Sequence, residues 1–162
     1  MDRSEEIREL LAEARRAANR RDFAVGREAC GRALEIDPDH VGALDLMGFL
    51  HYFSGEPDKA EQCCRRSIAL KPGRAYPLKG LGICLAAQGH VPEGIEMLKQ
   101  AIAAEPNYVD PYHDLAVVYY RSGDLENARA HFEKAIALDP NLKPRLARVL
   151  SEIEAKIAAR KG

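Results

Sequence analysis

The sequence contains one histidine with nearby carboxylates at a spacing suited to proton transfer. His113 lies close to Asp110 and Asp114, and residues three or four apart share one face of a helix. A histidine oriented by a carboxylate can act as a general base. The neighbouring sequence supplies neither a nucleophile nor the pattern of a closed pocket, so we expect no enzyme activity and no catalytic residue.

Metal binding is the other chemistry that the histidine and cysteine residues could support. His51, Cys63 and Cys64 lie close together in the sequence. A structural zinc site needs four converging ligands at short spacing, and neither a CxxC nor an HxxxH pattern occurs. We therefore expect no metal and no other cofactor.

The amino-acid composition predicts a folded protein and argues against several classes of partner. Of 162 residues, 46% are hydrophobic, which is enough for a sizeable core. Lysine and arginine number 24 against 25 acidic residues, so no overall basic charge attracts nucleic acid or an anionic membrane. The N-terminus is charged from its second residue, and no stretch reaches the roughly 18 apolar residues of a membrane span. We expect a cytoplasmic protein without membrane insertion.

A repeat of 34 residues organises the chain. Four similar segments each contain a proline, and these prolines are 34 residues apart. The segments are ALEIDPD, SIALKPG, AIAAEPN and AIALDPN, with Pro38, Pro72, Pro106 and Pro140. Each block has two segments of helical periodicity separated by a break such as SGEP, QGHVP or SGDL, and glycine in these breaks suits the end of a helix. A helical hairpin per block is predicted, within one domain spanning 1–162 and with repeats 7–40, 41–74, 75–108 and 109–142.

Small residues recur where the two helices of a hairpin should cross, and large apolar residues surround them. One hairpin cannot bury all of this surface, so successive hairpins must stack into a continuous core. An all-α solenoid follows. The small positions are Ala14, Gly48, Gly82 and Ala116 on the first helices and Gly26, Ala60, Gly94 and Ala128 on the second.

This pattern resembles the tetratricopeptide repeat (TPR) family. Four copies in register cover residues 7–142, although the first copy is degenerate. The resemblance implies a right-handed superhelix of antiparallel helix hairpins that binds another protein and performs no catalysis. The fourth block matches best, through Tyr112, Leu115, Ala116, Tyr119, Ala128, Phe132, Ala135 and Pro140.

The C-terminal segment 143–160 resembles the capping helix that closes many TPR arrays. Apolar residues recur there at helical spacing with charged residues between them. The alternative is a free helical arm used for dimerisation. Because the charged last helix and the polar first repeat both oppose stacking of one array on another, we expect a monomer or weak dimer.

The resemblance also indicates where a partner would bind, since the first helices of TPR arrays line a concave groove. Aromatic and aliphatic side chains there would bind a partly apolar peptide or helix of another protein, while Arg15, Asn19, Lys79 and Arg121 would set its register. The alternative is that Phe53 and a tyrosine only pack between repeats. The predicted groove residues are Arg15, Asn19, Phe49, Tyr52, Phe53, Tyr76, Lys79, Ile83, His113, Val117, Tyr120 and Arg121.

The family also includes proteins with two more specific functions. The carboxylate clamp, which holds acidic tails of heat-shock chaperones, is not matched, and Asp45, Asp110 and Asp114 would repel such a tail. Class II chaperones of type III secretion are also short TPR proteins. A chaperone that holds apolar segments of a secreted client is therefore the alternative to a general scaffold or adaptor.

The four cysteines predict no disulfide framework. Cys30 and Cys64 occupy the same position of successive second helices, whose axes should lie about 8–10 Å apart, farther than the roughly 7 Å limit between the Cα atoms of a disulfide. We expect buried thiols, with Cys63 facing outward as a surface thiol.

Overall fold

Residues 2–161 are the part of the chain that the computed structural model describes. They form nine α-helices and a short 3₁₀ helix at Pro140–Leu142, which leads into the last α-helix. The α-helices are α1 (Arg3–Asn19), α2 (Phe23–Ile36), α3 (Val41–Phe53), α4 (Pro57–Leu70), α5 (Ala75–Ala87), α6 (Val91–Ala104), α7 (Val109–Ser122), α8 (Leu125–Leu138) and α9 (Lys143–Lys161).

The turn within each hairpin depends on one residue with positive φ. Gly55, Gly89 and Gly123 have φ values of 76°, 91° and 84°, as the breaks in the sequence predict, because only glycine adopts this region without steric cost. In the first hairpin no glycine is available, and Arg21 takes the position with φ of 61°. The turn therefore forms in all four hairpins, at some strain in the first.

The paired helices approach most closely at the small residues. A Cβ atom on Gly82 of α5 would lie 2.9 Å from the carbonyl oxygen of Gly94 on α6, and one on Gly94 would lie 2.7 Å from the carbonyl oxygen of Gly82. In the first hairpin a Cβ on Gly26 would lie 3.4 Å from the carbonyl oxygen of Ala14. The predicted crossing points are thus confirmed in the first and third hairpins.

The hairpins stack so that their first helices lie side by side. α1 contacts α3, α3 contacts α5, and α5 contacts α7, while each second helix packs between its own first helix and that of the next hairpin. This arrangement is an all-α superhelix with the first helices on its concave side, which confirms the predicted fold class.

The last helix closes the array. Leu146, Ile153 and Ile157 of α9 are buried in the same core cluster as Leu115 of α7 and Phe132 of α8. Ile153 is fully buried. This face of α9 is already covered by α7 and α8, which favours the predicted capping helix over a free helical arm.

The cysteines are free thiols. Cys30, Cys64 and Cys84 are buried, as expected. Cys63 does not face outward: it is half-buried, and this burial raises the pKa of its thiol to about 11. The expectation of an accessible surface thiol at Cys63 is wrong, because the residue is partly buried where α4 packs on α3, with its Cβ 3.4 Å from where a Cβ on Gly48 would lie.

None of the helices in residues 2–161 combines the length and the apolar character that crossing a membrane requires.

Candidate functional site

A groove of about 390 Å³ opens on the inner surfaces of α3, α5 and α7. Its floor includes Cys64, Pro77 and Cys84, three residues that the sequence analysis did not place there. The groove brings together eight of the twelve predicted residues: Phe49, Tyr52, Phe53, Tyr76, Lys79, Ile83, His113 and Val117.

One wall of the groove is aromatic. Because Phe49, Tyr52 and Phe53 are three and four residues apart on α3, they share a helix face. The ring centroids of Phe49 and Phe53 are 4.6 Å apart, and those of Tyr52 and Phe53 are 5.3 Å apart with nearly perpendicular planes. The ring of Phe23 extends the cluster, 6.2 Å from Phe53. Phe53 remains 49% exposed, so the cluster presents apolar area that the fold does not bury.

The groove also carries three carboxylates, two of which have partners within the fold. Asp45 pairs with Arg74 and accepts a hydrogen bond from the Ser67 hydroxyl at 2.6 Å. Asp110 lies 3.4 Å from the ammonium of Lys79 and accepts a hydrogen bond from the Tyr108 hydroxyl at 3.1 Å. These two carboxylates therefore stabilise contacts between successive hairpins.

Lys79 is held by the protein itself. Its side chain is only 13% exposed, and its ammonium lies 5.0 Å from the ring centre of Tyr76 and 5.6 Å from that of Tyr108. Because of these cation–π contacts and the ion pair to Asp110, the ammonium charge of Lys79 already has partners within the fold. Burial raises the pKa of Tyr76 to about 12 and also raises the pKa of Tyr108, so both rings stay neutral.

Two smaller recesses extend the groove along the concave surface. A recess of about 210 Å³ is lined by Arg15 together with Asp45 and Tyr76. At the other end, Arg121 lines a recess of about 190 Å³ that shares Tyr52 and Asp114 with the main groove. The polar ends of the predicted site thus join the aromatic centre in one continuous surface.

Two predicted residues lie apart from this surface. Tyr120 faces α9, where its hydroxyl donates a hydrogen bond to Glu152 at 2.6 Å and accepts one from Lys156 at 2.9 Å. Asn19 is exposed at the C-terminal end of α1 and lines none of the three recesses. Tyr108, which contacts Lys79, was not predicted, because it is the residue immediately before α7 and lies outside the helical pattern.

The histidine of the groove lacks the geometry of a general base. The distance from His113 Nδ1 to Asp114 Oδ1 is 3.7 Å, beyond hydrogen-bonding range. The imidazole instead packs edge-on against Phe132, with ring centres 5.6 Å apart. Within residues 2–161, no three His, Cys, Asp or Glu side chains converge as a metal site would require. The arrangement is suited to binding by apolar contact and charge.

A family model described as tetratricopeptide repeat matches residues 85–153. No curated protein sequence matches the chain significantly.

Many solved structures are similar to this one. A structure of an O-GlcNAc transferase of Thermobaculum terrenum is 32% identical with a TM-score of 0.78, over 85% of this chain but only 27% of that protein. PilF of Pseudomonas aeruginosa is 22% identical with a TM-score of 0.83, over 97% of this chain and 71% of that one.

A third structure contains a bound peptide. The first TPR domain of Spaghetti (RPAP3), bound to the HSP90 peptide SRMEEVD, is 18% identical with a TM-score of 0.67, over 73% of this chain and 93% of that one. At identities of 18% and 22%, the likenesses to this domain and to PilF show the fold alone.

Proposed function

Since this chain belongs to the tetratricopeptide repeat family, we propose that it binds a short, partly apolar segment of another protein in the groove formed by α3, α5 and α7. The TPR fold is suited to a protein–protein interaction scaffold, and one similar structure holds a peptide. This chain matches only about a quarter of the length of the Thermobaculum terrenum transferase. We therefore propose no transferase activity for this chain.

The exposed aromatic cluster of Phe49, Tyr52 and Phe53 carries this proposal. A phenylalanine side chain has roughly 200 Å² of surface, and Phe53 is 49% exposed. Covering the exposed half with a partner's apolar side chain would contribute about 2.5 kcal/mol at roughly 25 cal/mol per Å². The rings already contact one another, so little rotamer entropy is lost on binding.

Binding of defined peptides tests the proposal. Peptides of 12 random residues are selected on the purified protein by phage display, and the affinities of individual synthetic peptides are then measured by fluorescence anisotropy. We expect the double substitution Tyr52→Ala and Phe53→Ala to weaken binding by at least tenfold while leaving the helical circular dichroism spectrum unchanged.

A matched control separates the groove from general surface hydrophobicity. Leu70 at the end of α4 is 41% exposed and lies outside the three recesses, so Leu70→Ala should bind the selected peptides as tightly as the wild type. Equal affinities for the wild type and the Tyr52/Phe53 double variant would refute the proposal, as would failure of the wild type to enrich any sequence over a carrier protein.

The same measurements address the secretion-type chaperone as an alternative. A chaperone that keeps apolar client segments soluble should bind more tightly as the apolar segment is lengthened. Under our proposal, affinity reaches its maximum with a segment of about the groove's length, because contacts outside the groove add little.

A further inference from the structure

Charge is unevenly distributed in the groove. The main recess is lined by three carboxylates, Asp45, Asp110 and Asp114, against one ammonium, that of Lys79. Asp45 is paired with Arg74, and Asp110 is paired with Lys79. These pairs neutralise two of the three carboxylates and leave Asp114 as the source of the excess negative charge.

Asp114 has no strong partner within the fold. Its carboxylate accepts no hydrogen bond from the described residues 2–161, and the nearest basic nitrogen to it there is His113 Nδ1, at 3.7 Å. The side chain of Asp114 is only 26% exposed. A segment bound over it would remove its remaining water, and an ionised carboxylate that loses water without gaining a partner is costly.

An aromatic ring lies beside this carboxylate. Tyr52 and Asp114 line both the main groove and the smaller recess. A guanidinium group placed between them would form charge-assisted hydrogen bonds with the carboxylate and stack on the ring. Arg121 also lines the smaller recess but not the main groove and is itself exposed, so it leaves the main-groove side of Asp114 open.

We infer that the partner segment carries an arginine that binds Asp114 beside the ring of Tyr52, next to an apolar side chain that packs against Phe49 and Ile83. This inference rests on the proposed function and specifies its ligand. An acidic segment would face the uncompensated charge of Asp114, and a wholly apolar segment would bury that charge without a partner.

Charge-matched variants test the arginine requirement. The random 12-residue phage library is selected on the wild type, and arginine should be enriched beside apolar residues. For a selected peptide, Asp114→Asn should weaken binding about tenfold, the value of one hydrogen bond to a charged group. Glu28→Gln, which removes an exposed carboxylate of α2 outside the recesses, should leave the affinity unchanged.

A double-mutant cycle shows whether the loss of affinity comes from the contact between Asp114 and the arginine of the peptide. Replacing the arginine of the peptide by glutamine should weaken binding to the wild type about tenfold and have little effect on binding to Asp114→Asn. Selection of apolar or acidic peptides without arginine would overturn this inference, and so would an affinity of Asp114→Asn equal to that of the wild type. Either result would leave the proposed function, peptide binding in the groove, unaffected. Unchanged binding by the Tyr52/Phe53 double variant would instead overturn the proposed function.

Discussion

The close approach of α5 and α6 predicts that the same substitution has opposite effects at two helical glycines. Gly82 lies where α5 crosses α6, and Gly31 lies in the interior of α2 with open space around it. Alanine is a better helix former than glycine by about 1 kcal/mol. Gly31→Ala should therefore raise the free energy of unfolding by about that amount.

At Gly82 the added methyl group has no room. Its Cβ would lie 2.7 Å from Leu98 Cγ, 2.9 Å from the Gly94 carbonyl oxygen and 3.2 Å from the Leu98 nitrogen. Two of these atoms belong to the backbone of α6, so the helices must move apart. Overpacking costs up to about 3 kcal/mol, which outweighs the gain of about 1 kcal/mol in helix propensity. We expect a net loss of about 2 kcal/mol.

Urea unfolding followed by circular dichroism measures both effects. Relative to the wild type, the midpoint should rise for Gly31→Ala and fall for Gly82→Ala, with free energies of unfolding that differ by about 3 kcal/mol between the variants. In thermal scans, each kcal/mol corresponds to about 2–4 °C for a chain of this size. If Gly82→Ala were as stable as the wild type or more stable, the close approach of the two backbones would be wrong.

Two further predictions concern the capping helix and the response to acid. Ile153 is fully buried, so Ile153→Ala should lower the free energy of unfolding by about 2–5 kcal/mol and speed amide hydrogen exchange along α9. The control Glu154→Ala, at an exposed neighbouring position, should change the free energy of unfolding by less than about 0.5 kcal/mol. If both substitutions changed the free energy of unfolding equally, α9 would not be docked through Ile153. Hydrogen bonds from Lys59 and His51 lower the pKa of Glu56 from its usual 4.5 to about 2, so this carboxylate stabilises the fold fully above about pH 4.5 and its contribution is lost as the pH falls towards 2. Urea midpoints between pH 2 and 6 should thus depend less on pH in Glu56→Gln than in the wild type, and identical profiles would contradict this role.

The helices and their turns were predictable because the information for them is local and repeated. Glycine with positive φ ends the first helix of three hairpins, and Gly82 and Gly94 mark a backbone crossing. The first hairpin shows what happens when the signal is weak: Arg21 adopts the same turn at some strain. The turn forms there although a residue other than glycine disfavours positive φ, so the packed structure overrides the local preference.

The aromatic wall of the groove was predictable for the same reason. Phe49, Tyr52 and Phe53 lie on one helix at a spacing that places them on one face, and the rings do contact one another. Whether a partner covers this cluster is the question that the peptide measurements address.

The sequence by itself determined the repeat, the hairpins and the need for them to stack, because helical periodicity and small crossing residues recur in each repeat. The concave side was implied by the resemblance to the family. Only the tertiary structure decided which polar groups are available in the groove. Lys79 is held by Asp110 and Tyr108, 31 and 29 residues away, and Tyr120 by Glu152, 32 residues away. Such pairings depend on the side-chain conformations that neighbouring hairpins allow. They leave Asp114 as the groove carboxylate that accepts no hydrogen bond from residues 2–161, with His113 at 3.7 Å.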